Sequence, residues 1–200
     1  MTTVSCNQAL FLDRDGVINV DRGHVYRREF FEFVPGIFEL CFAAQQLDYL
    51  LVVVTNQAGI ARGYYSEADF NELSTWMMDH FMERKIHITR LYYCPSHPDF
   101  GKGKYKCDSP DRKPNPGMLL RAQSDLNLDL ASSILVGDKF SDIQAGCAAG
   151  VGTRILLSHQ TPIVETALET EACYVFPSLD DIRFRFFPAM AGTSRRAANL

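Results

Sequence analysis

The apolar residues of this chain fall into two alternating rhythms. Short continuous bursts at Ala9–Leu12, Leu50–Val54, Leu91–Cys94, Ile134–Val136, Arg154–Leu157 and Tyr174–Phe176 predict strands. The second is β-branched and unbroken, as in a strand covered on both faces. Between the bursts the spacing changes to that of helices. Ile37, Phe38, Leu40, Cys41, Ala44 and Leu47 form one stripe behind Pro35. Ser66 and Asp69 form a capping-box pair ahead of Phe70, Leu73, Met77 and Phe81. Pro116 opens a helix through Leu119, Leu120 and Leu126, and Ser141 with Gln144 predicts the start of another that Gly150 closes. Strands alternating with helices predict an α/β fold, a Rossmann-like parallel sheet flanked by helices and joined by right-handed crossovers. In such sheets sites lie beyond the carboxyl ends of the strands.

Two stretches interrupt the alternation. Gly16 to Val34 is polar and rich in arginine and aromatics, and Pro95 to Asn115 is a loop of Gly, Lys and Pro. Both exceed ordinary connection lengths and are expected to be functional or mobile. Residues 1–188 are read as a single domain and 189–200 as a disordered tail.

With 200 residues, 46% hydrophobic and 22% charged, the composition is that of a soluble globular protein. A net charge of −4 argues against a nucleic-acid partner. The longest apolar run, Tyr49 to Val54, is far too short to span a membrane. No leader pattern precedes the first charge at Asp13, so the expected location is the cytoplasm. The six cysteines follow no framework spacing and are read as reduced thiols, mostly within apolar segments.

Polar residues at the strand ends carry the chemistry. The first strand runs into Asp13-Arg14-Asp15-Gly16, two carboxylates one residue apart. Their repulsion calls for a cation or a division of labour. A solvated turn is the plainer reading, and a calcium loop fails because Val17 stands at the third acidic position. The second strand ends in Thr55-Asn56-Gln57, the segment Arg112-Lys113-Pro114 delivers two cations before a helix, and the fourth strand ends in Gly137-Asp138-Lys139 with Asp142 one turn on. Each piece alone has an ordinary structural explanation. The ordered set supplies a nucleophile, an acid, donors, a cation and a metal carboxylate.

On these motifs the chain resembles the haloacid dehalogenase superfamily of phosphohydrolases. The runs Phe11–Asn19, Thr55–Gly63 and Arg112–Pro114 narrow the likeness to its heptose bisphosphate phosphatases, with histidinol-phosphate phosphatases as close relatives. The resemblance implies the superfamily's fold with a minimal cap made of loops, a phosphorylated sugar as substrate, and a monomer. It implies Asp13 as nucleophile and Asp15 as acid and base, with Thr55 and Lys113 holding the transferring phosphoryl group. It implies Mg²⁺ on Asp13, the Asp15 carbonyl and Asp138, with Asp142 orienting Lys113 or a metal-bound water. Asp21, Arg22, Gly23, His24, Asn56, Gln57, Ala58, Arg112 and Lys139 fall at its substrate-contacting positions. His24 could equally be a bystander and Lys139 a surface charge. Arg112 is expected to read the second phosphate of a bisphosphate. The alternatives are a histidinol-phosphate phosphatase and, more remotely, a phosphate-binding module without turnover.

Many members of this family also carry Cys-x-His and Cys-x-Cys ligands for a structural zinc. Here Cys94 matches, but Ser96, Ser109 and Asp111 occupy the other three positions. A displaced site would need His97, Cys107 and Asp108 or Asp111. Plain thiols beside a basic loop are the preferred reading, so little tightly bound zinc is expected.

Overall fold

A computed structural model of the chain describes residues 6–158, 172 and 174–188. The expected tail at 189–200 and Cys173 lie outside the described residues. Six parallel strands form one sheet: β1 (Gln8–Leu12), β2 (Tyr49–Asn56), β3 (Ile88–Cys94), β4 (Ile134–Gly137), β5 (Thr153–Leu157) and β6 (Tyr174–Phe176), in the order β3-β2-β1-β4-β5-β6. Each predicted burst became a strand. Register places Leu10 beside Leu51 and Ile134, and Leu12 beside Val53 and Val136. β1 and β4 are therefore neighbours whose tips meet, and the Asp13 N–H donates to Val136 O at 3.1 Å.

Side chains alternate across the sheet with a period of two. Leu10, Leu12, Leu51, Val53, Ile134, Val136, Ile155 and Leu157 pack against helices α1 (Ile37–Gln46), α3 (Glu67–Glu83) and α6 (Leu179–Phe186). Ala9, Phe11, Val52, Val54 and Leu135 meet α4 (Gly117–Leu126) and α5 (Phe140–Ala149) on the other face. Both faces of β1 and β2 are covered, which is why these strands read as unbroken apolar runs.

Three local outcomes differ from the sequence expectation. The capping box of Ser66 and Asp69 formed, but the Ser141–Gln144 pair does not start α5. Lys139 is the N-cap, and its N–H donates to Asp142 Oδ2 at 3.0 Å. An acidic side chain three residues into the helix fits the N-terminal dipole better than a glutamine. Two α-helices have no counterpart among the predicted elements: the short α2 (Ala58–Arg62), too brief to show a period, and α6, whose exposed Phe184 blurs its stripe. Finally, Cys41 and Cys94 are buried, whereas Cys6, Cys107 and Cys147 are exposed.

The insert at 16–34 is an excursion anchored from below. Val17, Ile18, Val25, Phe31 and Val34 all enter the main core. Its two ends pair through Val20 N–H to Glu32 O at 2.8 Å and Val34 N–H to Ile18 O at 2.9 Å. The apolar residues are too irregularly spaced to give a period, yet they fix the insert beside the strand tips. No helix among the described residues is long and apolar enough to cross a membrane.

Candidate active site

The tips of β1, β2 and β4 and the segment before α4 converge on a cleft of about 570 Å³. Asp13 follows β1 and is only 5% exposed. Its Oδ1 accepts from the Arg14 N–H at 2.7 Å and lies 3.1 Å from Lys113 Nζ. Among the described residues no donor reaches Oδ2, so one oxygen is fixed and the other is left for chemistry. Burial pushes the Asp13 carboxyl up to about 6, with Lys113 opposing and the carboxylates of Asp142 and Asp15 adding to the rise.

Lys113 is 3% exposed. Its ammonium contacts Asp142 Oδ1 at 2.6 Å and donates to Val54 O at 2.9 Å. Burial alone would lower its pKa; the two facing carboxylates, Asp13 and Asp142, outweigh that and raise it. The backbone is held as tightly. Asn56 accepts the Lys113 N–H on Oδ1 at 3.1 Å and donates from Nδ2 to the Lys113 carbonyl at 2.9 Å. Asn56 thus clamps the Lys113 backbone, and Asp142 contacts its ammonium.

Asp15 is surrounded by donors. Arg14 Nη2 lies 2.9 Å from both carboxylate oxygens, Asn19 Nδ2 reaches Oδ1 at 3.1 Å, and Gln57 Nε2 reaches Oδ2 at 3.0 Å. Gln57 also donates to Thr55 Oγ1 at 2.9 Å and accepts from the Tyr65 hydroxyl at 2.6 Å. With its oxygen occupied as acceptor, the Thr55 hydroxyl keeps its own proton to donate. Arg14, Asn19 and Tyr65 were not singled out in the sequence. Arg14 is 1% exposed, also donates to Val25 O at 2.7 Å, and packs 5.6 Å from the Phe70 ring centroid. A buried arginine between two aspartates was the available signal, because such a charge needs partners.

Asp138 sits at the end of β4. Its Oδ1 is buried with no hydrogen-bond partner. Burial, followed by the Asp13 charge, pushes its carboxyl up to about 7. One ligand atom each from Asp13, Asp138 and Asp142 lies within 4.8 Å of the others. Gly16 makes the approach possible: its φ is +97°, and a Cβ there would lie 2.1 Å from Asp138 Oδ2. Clustered buried carboxylates with an orphaned oxygen are the donor set of a hard divalent cation.

The remaining expected residues divide. Asp21, Gly23, His24, Asn56, Gln57, Ala58, Arg112 and Lys139 all line the cleft. Lys139 Nζ reaches Asp21 Oδ2 at 2.9 Å and lies 3.8 Å from Asp138. This pair ties the insert to the tip of β4, with the Lys139 side chain 52% exposed. His24 rests against Tyr64, ring centroids 5.0 Å apart, and burial with nearby Arg62 lowers its pKa. Arg22 stands apart from them: its side chain is 56% exposed, pairs with Glu32 at 2.5 Å, and does not line the cleft. On an irregular loop the nearest carboxylate decides where a long side chain goes. Arg62, on the short α2, lines the cleft instead. Its guanidinium lies 4.0 Å from the Phe100 centroid, and its Nε is buried without a partner. Arg112, whose Nη1 donates to Ser96 O at 3.2 Å, lines the same cleft.

The zinc candidates are dispersed. Cys94 is buried with its thiol against Ser96 O at 3.9 Å, His97 Nδ1 accepts from the Asp99 and Phe100 N–H groups at 3.2 Å, and Cys107 is exposed. Among the described residues these side chains form no three-ligand group with Asp108 or Asp111.

A family model for HAD-hydrolase-like proteins matches residues 111–182. D-glycero-alpha-D-manno-heptose-1,7-bisphosphate 7-phosphatase of Burkholderia mallei (strain ATCC 23344) is 61% identical over 151 residues, 76% of this chain and 80% of that protein. The D-glycero-beta-D-manno-heptose-1,7-bisphosphate 7-phosphatase of Vibrio cholerae is 49% identical over 174 residues, 87% of this chain and 93% of that one. The chain belongs to the heptose bisphosphate phosphatase family. Among solved structures, D,D-heptose 1,7-bisphosphate phosphatase from B. bronchiseptica, complexed with magnesium and phosphate, superimposes with a TM-score of 0.73 at 28% identity, covering 89% of this chain and 97% of that one. Within the heptose bisphosphate phosphatase family the two sequence relatives are named for opposite anomers.

Proposed function

We propose that this chain hydrolyses the 7-phosphate of a D-glycero-D-manno-heptose 1,7-bisphosphate through an aspartyl phosphate. The observation that carries this reading is Asp13, one oxygen held by Arg14 and Lys113 and the other free at the floor of the cleft. Oδ2 attacks phosphorus as the bond to the C7 oxygen breaks, and Asp15 gives that oxygen its proton. Asp15 then takes a proton from water, which attacks the acyl phosphate, releases orthophosphate and restores Asp13. Lys113 and the Thr55 hydroxyl hold the phosphoryl oxygens as charge redistributes. Magnesium, held by Asp13, Asp138 and the Asp15 carbonyl, would offset the repulsion between the carboxylates and the phosphate. Chelation is expected to abolish activity and added Mg²⁺ to restore it, measured by phosphate release; turnover that survives exhaustive chelation would remove the metal from the reading.

Specificity rests on the two guanidiniums lining the cleft. Arg112 and Arg62 suit the second phosphate and disfavour the cationic amine of histidinol phosphate. Arg112→Ala is expected to raise KM for the bisphosphate roughly ten- to a hundredfold and to leave KM for p-nitrophenyl phosphate nearly unchanged. Assays with heptose bisphosphate, fructose bisphosphate, histidinol phosphate and the aryl phosphate test this directly. Equal losses on the bisphosphate and aryl phosphate would show that Arg112 does not read the second phosphate.

A further inference from the structure

Glu67 is the first residue of α3, where an acidic side chain ordinarily serves the helix dipole. Here it does something the dipole does not require. Its Oε2 accepts from the Tyr93 hydroxyl of β3 at 2.6 Å. Its Oε1 accepts from the Tyr105 hydroxyl, and Lys104 Nζ lies 3.6 Å from the same oxygen. A strand, a helix and the 95–115 loop are thereby gathered onto one carboxylate. The Tyr105 and Tyr93 hydrogen bonds hold the Glu67 carboxyl below its ordinary range.

The anchored turn continues toward the cleft. The Tyr105 carbonyl accepts from His97 N–H at 3.0 Å, the Gly101 N–H donates to His97 O at 3.1 Å, and the Lys102 N–H donates to Ala61 O at 3.0 Å. Packing within this turn is tight: a Cβ on Gly101 would lie 2.4 Å from Tyr105 O and 2.5 Å from His97 O. Beside His97, the Ser96 carbonyl receives Arg112 Nη1. A continuous chain of contacts therefore runs from Glu67 through Tyr105 and His97 to the guanidinium of Arg112.

We propose that Glu67 is a positioning residue that fastens the 95–105 turn to α3 and so holds Arg112 in the cleft for the second phosphate. The proposal rests on the reading of Arg112 given above. The test uses Glu67→Gln, which keeps the side-chain shape, and Tyr105→Phe, which keeps the ring and loses only the hydroxyl. Hydrogen exchange at residues 97–106 is expected to quicken in both, roughly tenfold. KM for the heptose bisphosphate is expected to rise by a similar factor, with kcat and aryl phosphate hydrolysis within about twofold of the parent. Unchanged exchange in both variants overturns the anchor. Faster exchange with an unchanged KM, or with equal losses on both substrates, overturns the positioning role and leaves a purely structural one. Arg112→Ala, run alongside, separates these outcomes from failure of the second-phosphate reading, because only that reading depends on its substrate selectivity.

Discussion

Replacing Asp13 by asparagine is expected to abolish turnover while leaving the fold standing. The change removes the one side-chain oxygen placed to attack phosphorus, and loss of a nucleophile costs roughly four to six orders of magnitude in rate. Stability should be preserved for a reason visible in the site. Asp13 is a buried carboxylate whose pKa is pushed up to about 6 by that burial, so a neutral amide of the same shape relieves desolvation. Lys113 keeps Asp142 at 2.6 Å as its partner. The checks are phosphate release and a thermal melt on the same preparation. A variant that retains a tenth of the parent activity would rule out the covalent route.

Lys113→Met is expected to damage both activity and stability. Activity should fall roughly a hundred- to a thousandfold, the usual effect of losing one preorganised donor to a developing charge. Stability should fall by about 3–5 kcal/mol, because Asp13 and Asp142 are left buried without their shared cation. The two effects separate in a double variant. Adding Asp142→Asn removes one stranded carboxylate while an amide oxygen can still accept the Lys139 N–H, so the melting temperature should recover in part and the activity should not. A Lys113→Met protein that melts with the parent would show that the triad of Asp13, Lys113 and Asp142 is not under electrostatic load.

The placement of Asp13, Thr55 and Asp138 was legible because strand rhythm and topology leave little freedom. Apolar runs end where the sheet ends, parallel strands point their tips one way, and a polar residue directly after such a run must lie at that edge. Lys113 was legible by motif alone; nothing in its spacing showed that Asn56 clamps its backbone. Gln57 was expected at the substrate, and it also bridges Thr55, Asp15 and Tyr65.

The residue pattern alone is enough for the parallel sheet, the positions of its six strands, the capped α3 and the polar residues at the strand tips, although β3 begins at Ile88 rather than Leu91 and β2 runs on to Asn56. Those features follow from local periodicity and from the few topologies that can bury it. Tertiary contacts settle the rest: Arg22 turns outward to Glu32 while Arg62 faces the cleft, Asp142 reaches Lys113, and Glu67 gathers Tyr93 and Tyr105. Long polar side chains on irregular segments have no period to betray their direction. Their direction is set by whichever charge or hydroxyl the fold brings within about 3 Å, and sequence spacing does not say which neighbour that is.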